Sequence, residues 1–361
     1  MGEPTDTAVA APDIAPDPAG LDHSRRWRLL RWGAAVFLTA GLVVVAVVFR
    51  GTVATALRAL RAPSPGWLAG AVLLQLASMG LYARMQRRLL RGAGTTVPLR
   101  RAVSLAYAAH SMSMTLPGGP LISTVYNYRR MRGFGADSVV AAWATAASAT
   151  LSAIGLALLG IGVGTVAAAD DTHDVVTAGV IAASVALVLL AAGAFRRHPG
   201  WRRAAGGPLR ALGHRLPAGA RARLASATGW LGRLLQVRIP PRDLFAATGH
   251  SVLNWVTDGA CLALCAAALG VAVHPLPLAV TYLAGMAASS LPLIPGGLGT
   301  VDSALALGLV ASGAKASPAL AVVVLYRLVS FVLIGGIGWA VWLAGRSRRR
   351  DGAARTAGWS G

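Results

Sequence analysis

Long apolar runs that alternate with short arginine-rich connections constrain this chain more than any other feature. A helix of about 20 apolar residues spans a hydrocarbon core of about 30 Å. Basic residues left between such runs mark the loops of a helical membrane protein. The composition agrees: 55% of residues are hydrophobic and 13% charged, against about 25% charged in a soluble domain. Gly is abundant at 43 residues, and small residues let membrane helices approach closely. A net charge of +21 raises the question of nucleic acid. Here the arginines flank apolar segments and form no continuous stripe, so nucleic acid is set aside as a partner. Lys315 is the only lysine, a bias that, with so much Ala and Gly, points to a GC-rich bacterial genome.

Residues 1–24 are rich in Ala, Pro and Asp, lack apolar periodicity and read as a disordered tail. Arg25, Arg26, Arg28 and Arg31 lead into the run 32–49, which reads as an uncleaved first helix. Further runs cover 66–81, 102–116, 119–128, 139–169, 175–195, 244–269, 276–293, 299–312 and 318–343. Those beginning at Trp32, Gly66, Val139, Val175, Leu244 and Pro318 approach the length of a crossing. The others form two pairs, each split by a Pro-Gly-Gly. LPGGP (residues 116–120) divides the first, whose arms reach only about 22 and 15 Å and predict a re-entrant hairpin. LPLIPGGLGT (residues 291–300) divides the second, where a hairpin and two thin crossings both stay open.

Arginines predict the orientation. The N-terminal cluster, Arg84–Arg101, Arg129–Arg132, the basic loop 196–243 and the tail 345–361 fall on the cytoplasmic side, with both termini. Asp170, Asp171 and Asp174 fall outside; Arg50, Arg58 and Arg61 dissent and suit a short surface helix. Within the large loop, Leu224, Ala227, Leu231, Leu234 and Leu235 recur at helical spacing between arginines. That segment fits an amphipathic helix on the inner leaflet or a helix packed on the protein's own loops.

The halves repeat. Each reads span, span, Pro-Gly-Gly pair, span, with about 35 residues from the Pro-Gly-Gly to the centre of the next span in both. An odd number of full crossings per half turns the second half upside down. The expected fold is therefore an all-α integral membrane protein. It is an inverted repeat of three spans plus a Pro-Gly-Gly re-entrant hairpin in each half. Repeat 1 covers about 32–169 and repeat 2 about 175–344, within a membrane domain at 25–344. In such folds the binding site lies at the midplane, where half-helix N-termini carry partial positive charge. Gly118, Gly119, Gly296, Gly297 and Gly299 permit the turns and let a ligand approach the backbone. The alternative is an ordinary loop at each Pro-Gly-Gly.

The segment SSLPLIPGGLGTVDSALALGL (residues 289–309), followed by LYRLVSF (residues 325–331), resembles the signature of the lysylphosphatidylglycerol synthase transmembrane family, the flippase-like domain proteins. MSMTLPGGPLISTVYNYRRMRG (residues 112–133) is similar to that family's first hairpin, and the resemblance extends over about 32–343. It implies a membrane domain that moves lipid between leaflets. The helix after the first hairpin reads AAWATAASATLS, without the Glu-Arg pair the family often carries, so no role built on that pair is transferred. Full synthases add a soluble aminoacyltransferase domain after the membrane part. With only a short basic tail in that place, this chain is expected not to make lysyl-lipid.

Charged residues within the runs narrow the site. Each costs about 2.5–3.5 kcal/mol at the bilayer centre unless it faces the bundle interior. Asp302 reads either as a helix-start residue or as a partner for a cationic headgroup or Arg327. Arg327 could grip a phosphate with two hydrogen bonds or pair with Asp302 or Asp258. Asn254, one turn from both His250 and Asp258, adds a polar stripe that lines a cavity or bonds between helices. Cys261 and Cys265 share a face and read as packing residues. HExxH, P-loop, GxSxG and zinc-spaced Cys/His motifs are absent, and no catalytic residue, metal or cofactor is expected. The expected partners are membrane lipids, anionic in headgroup, with a homo-oligomer left open. A carrier for a small polar solute and a scaffold for a cell-envelope enzyme are the rival readings.

Overall fold

The computed structural model describes residues 63–116, 118–169, 233–234, 236–289 and 299–357. The spans expected at 32–49 and 175–195, the acidic loop, most of the amphipathic segment, and Gly296 and Gly297 lie outside these residues. Among those described, all regular structure is helical: α1 (Pro65–Gly92), α2 (Leu99–Thr115), α3 (Gly119–Gly133), α4 (Ser138–Ala169), α5 (Pro241–Ala268), α6 (Pro275–Ser289), α7 (Thr300–Ala311), α8 (Ala316–Arg327) and α9 (Ile334–Ala357). A π-helical segment, Leu328–Leu333, joins α8 to α9 without a break.

Four helical stretches are long and apolar enough to cross a membrane: Pro65–Gly92, Ser138–Ala167, Pro241–Ala268 and Ala316–Arg346. They coincide with four of the spans expected from the runs. Large apolar side chains such as Leu73, Leu121, Phe245, Leu307 and Val332 point outward, as they do in a protein solvated by lipid. This is a membrane protein. Prolines open α1 and α5 in the first turn, where a missing N–H leaves nothing unpaired.

The helices outrun their apolar stretches because the arginines at their ends find acceptors. Arg87 Nε donates to the Val97 carbonyl at 2.9 Å, while Arg88 and Arg91 reach Asp243 Oδ1 at 3.2 and 2.9 Å. The last two bonds tie the end of α1 to the start of α5. At the opposite end the Ser64 N–H donates to the Ala268 carbonyl at 2.8 Å. The two helices therefore run antiparallel.

Two antiparallel pairs of short helices flank this central pair. In α2–α3 the arms have 17 and 15 residues, about 25 and 22 Å of helix. In α6–α7 they have 15 and 12, about 22 and 18 Å. The α2–α3 pair opens toward the end of the bundle that holds Arg88, Arg91 and Asp243, because α2 follows α1 directly. The α6–α7 pair opens toward the other end, because α6 follows the C-terminus of α5. Leu262, Cys265, Leu305, Val322 and Tyr326 form the core among α5, α7 and α8. Met79, Ala83, Tyr107 and Ile334 close the space where α1, α2 and α9 meet. Polar bonds cross the same interfaces: Ser251 Oγ donates to the Leu151 carbonyl at 2.8 Å and Ser111 Oγ to the Gly335 carbonyl at 3.0 Å.

Candidate functional site

The turn between α2 and α3 is made by backbone alone. Gly119 N–H donates to the Leu116 carbonyl at 2.8 Å, and Gly118 sits at φ +67°, a conformation that side-chain-bearing residues resist. A Cβ on Gly119 would lie 2.2 Å from the Ser113 carbonyl oxygen and 2.6 Å from that of Met112. The N-terminus of α3 carries no acid.

The start of α7 is built on charge. Gly299 takes φ +89°, and its N–H donates to Asp302 Oδ2 at 2.8 Å. The other carboxylate oxygen accepts from Arg327 Nε at 2.5 Å. Arg327 comes from the last turn of α8, immediately before the π-helical segment. A π-turn carries one extra residue and often sits where function needs a side chain re-aimed. Both readings of Asp302, helix start and partner of Arg327, thus hold together. The side chains are 15% and 28% exposed, so the pair lies at the edge of the packed interior and not in its centre.

Asp258 is not a member of that pair. It is 9% exposed, and its Oδ2 accepts from Tyr282 Oη of α6 at 2.6 Å and from Tyr326 Oη of α8 at 2.9 Å. Among the described residues no arginine or lysine pairs with it. Tyr326 adjoins Arg327, so α8 touches both acids with consecutive side chains. His110 of α2 is half-buried and lies within electrostatic reach of Asp258.

Asn254 faces α1. Its main-chain carbonyl accepts from Ser78 Oγ at 3.1 Å, and its amide, turned nitrogen-first, donates to the Ser78 carbonyl at 3.1 Å. It bonds between helices. His250 Nδ1 bonds the Ala246 carbonyl of its own helix. Cys261 and Cys265 are buried in the core, as their spacing suggested. Among the described residues no group of His, Cys, Asp and Glu is arranged to hold a metal ion.

The structure thus brings Gly299, Asp302 and Arg327 together, sets Gly118 and Gly119 at a separate turn, and places Asp258 beside the first group through Tyr326. Nothing in the sequence alone singles out Tyr282, Tyr326, Ser78 or His110. A tyrosine within an apolar run reads as core, and only the spatial partner shows what its hydroxyl does. The family model of the lysylphosphatidylglycerol synthase TM region matches residues 32–338. No curated protein gives a match.

Proposed function

Because this chain belongs to the lysylphosphatidylglycerol synthase TM region family, we propose that it binds an anionic lipid or lipid-linked molecule at Arg327 and carries it between the leaflets of the cell membrane. The observation that carries this reading is the Arg327–Asp302 pair at the N-terminus of α7. A guanidinium placed in the span Ala316–Arg346 is too far from either end to snorkel to water. Its partner sits where the backbone N–H groups of a short helix also point, and such an end attracts anions. A headgroup phosphate arriving there would find a planar, two-pronged donor and a helix N-terminus at once. Gly299, at φ +89°, lets it approach the backbone. In this role the protein is a carrier and not an enzyme.

Several features support an inverted repeat with two re-entrant pairs. In sequence order α1 corresponds to α5, α2–α3 to α6–α7, and α4 to α8–α9. The two short pairs open toward opposite ends, and α1 and α5, the central antiparallel pair, are equivalents. Arms of 15 and 12 residues fall short of a hydrocarbon core of about 30 Å. The arginine-rich end, with Arg88, Arg91 and Arg130, would be the cytoplasmic one, and both termini would lie there.

The test is translocation of a fluorescent phosphatidylglycerol in vesicles, read by accessibility to a membrane-impermeant quencher. Arg327→Lys keeps the charge and loses the fork, so the rate should fall about tenfold or more while the fold survives. Wild-type rates in both Arg327→Lys and Arg327→Ala would remove this residue from the mechanism.

A further inference from the structure

A carboxylate inside a membrane protein ordinarily has a cation, a metal or several N–H donors to offset its lost hydration. Asp302 has Arg327 and a backbone N–H. Asp258, more deeply buried, has two neutral phenols on one oxygen. Among the described residues, the titratable and charged groups around it can be named. Tyr282 comes from α6, and from α8 come Tyr326 and, next to it, Arg327, which is engaged with Asp302. His110 comes from α2. Ser78 and Gln75 on α1 are uncharged, with Tyr82 a turn beyond Ser78, and α4 has no titratable residue along its length. On α5 itself Cys261 and Cys265 follow and His250 precedes. Two other groups in this set change charge near neutral pH: His250, earlier on α5, whose Nδ1 bonds the Ala246 carbonyl, and His110, which belongs to the opposite half of the chain.

We propose that Asp258, clasped by Tyr282 and Tyr326, is a proton-exchange site that couples the Arg327–Asp302 site to a proton gradient. The inference rests on the carrier reading above and names its coupling ion. Uptake converts the carboxylate to the acid, and release returns the same proton; no other bond is made or broken. Neutralising Asp258 alters what the two phenols hold. Tyr326 is joined through one peptide bond to Arg327, and a π-helical segment, which often marks a functional position, begins at the next residue. Proton binding at Asp258 and release of Arg327 from Asp302 are thereby linked through α8. His110, on the helix that leads into the Gly118–Gly119 turn, lies within electrostatic reach of the same carboxyl from the first half.

The first measurement is pH-difference infrared spectroscopy of the purified protein between about pH 5 and pH 8. A buried carboxylic-acid carbonyl band should titrate in the wild type and vanish in Asp258→Asn. Tyr282→Phe and Tyr326→Phe keep the acid and remove one hydrogen bond each, so they should shift the band without abolishing it. Absence of any titrating carboxyl band, or its persistence in Asp258→Asn, overturns the proposal. The second measurement is the phosphatidylglycerol assay with an imposed gradient of about one pH unit. The ratio of rates with and without the gradient should be several-fold in the wild type and one in Asp258→Asn. Lipid movement that ignores the proton gradient, or that follows a sodium gradient instead, overturns the coupling and leaves the carrier reading standing. A titrating band with no lipid movement under either condition supports the proton site and overturns the lipid reading.

Discussion

At the start of α3 the chain turns through Gly118, at φ +67°, into a glycine whose Cβ position is filled by the main chain of α2. At the start of α7 it turns through Gly299, at φ +89°, into a helix whose first turn holds Asp302, and through it Arg327. Both pairs of short helices begin their second arm from a left-handed glycine. One turn is fixed by the absence of a side chain and the other by a charged pair. The first offers a ligand only backbone, and the second offers backbone and a guanidinium. The two pairs occupy corresponding places in the halves, yet the chemistry is concentrated in the second.

The sharpest way to break this contrast is Gly119→Ala. Carbonyl oxygens at 2.2 and 2.6 Å cannot rotate away as a flexible side chain could. Relief requires α2 and α3 to separate, at a cost of about 3 kcal/mol or more. Thermal unfolding in detergent should show a large loss of stability, with poor expression. A Gly119→Ala protein that melts like the wild type would show that the two helices are not in that close contact.

A smaller effect is expected at Arg327→Ala. Asp302 would be left without its cation in a medium of low dielectric, which costs about 2–4 kcal/mol. That lies below the full range for a wholly buried pair, because Asp302 keeps the Gly299 N–H. Adding Asp302→Asn should restore most of the loss, since the neutral amide still caps the helix. Adding Asp258→Asn instead should restore nothing, since Asp258 is held by tyrosines. Equal rescue by the two would mean that the acids share one cation, and the division between them would fall.

How far the sequence anticipates these sites depends on how unusual each residue is in its setting. An arginine and two aspartates inside apolar runs stand out because burial of charge is costly, and a Pro-Gly-Gly stands out because it interrupts a helix. The sequence leaves the pairing of Arg327 open between two acids. One-dimensional order does not say which of residues 258 and 302 meets residue 327, and packing decides it. The helix ends ran past the apolar runs because arginines at the membrane surface are good helix formers, and periodicity of apolar residues is silent there. The π-helical segment was invisible, since LVSFVL has no glycine or proline and nothing in its composition separates it from ordinary helix.

The smallest effect is expected at a helix start outside the membrane, where charge should matter little. Asp137 precedes α4, and its Oδ2 accepts from the Val139 N–H at 3.0 Å. That bond first, and the Ser138 N–H second, hold its carboxyl below the ordinary carboxylate range, with Arg132 and Arg233 adding to the pull. A carboxyl depressed on folding contributes stability that is fully present above its unfolded value, about 3.9. The contribution is lost as pH falls through the lower, folded value. Asp137→Asn keeps an acceptor for the Val139 N–H and removes only the charge. The two proteins should therefore differ slightly in melting temperature at neutral pH and converge as the pH falls below the ordinary carboxylate range. The gap at neutral pH should also shrink with added salt, because this carboxylate faces water and its arginines are screened. Asp302→Asn, placed away from water, should show a gap that salt leaves unchanged. A salt-sensitive gap at Asp302, matching that at Asp137, would place the start of α7 in water and return it to the class of ordinary surface caps.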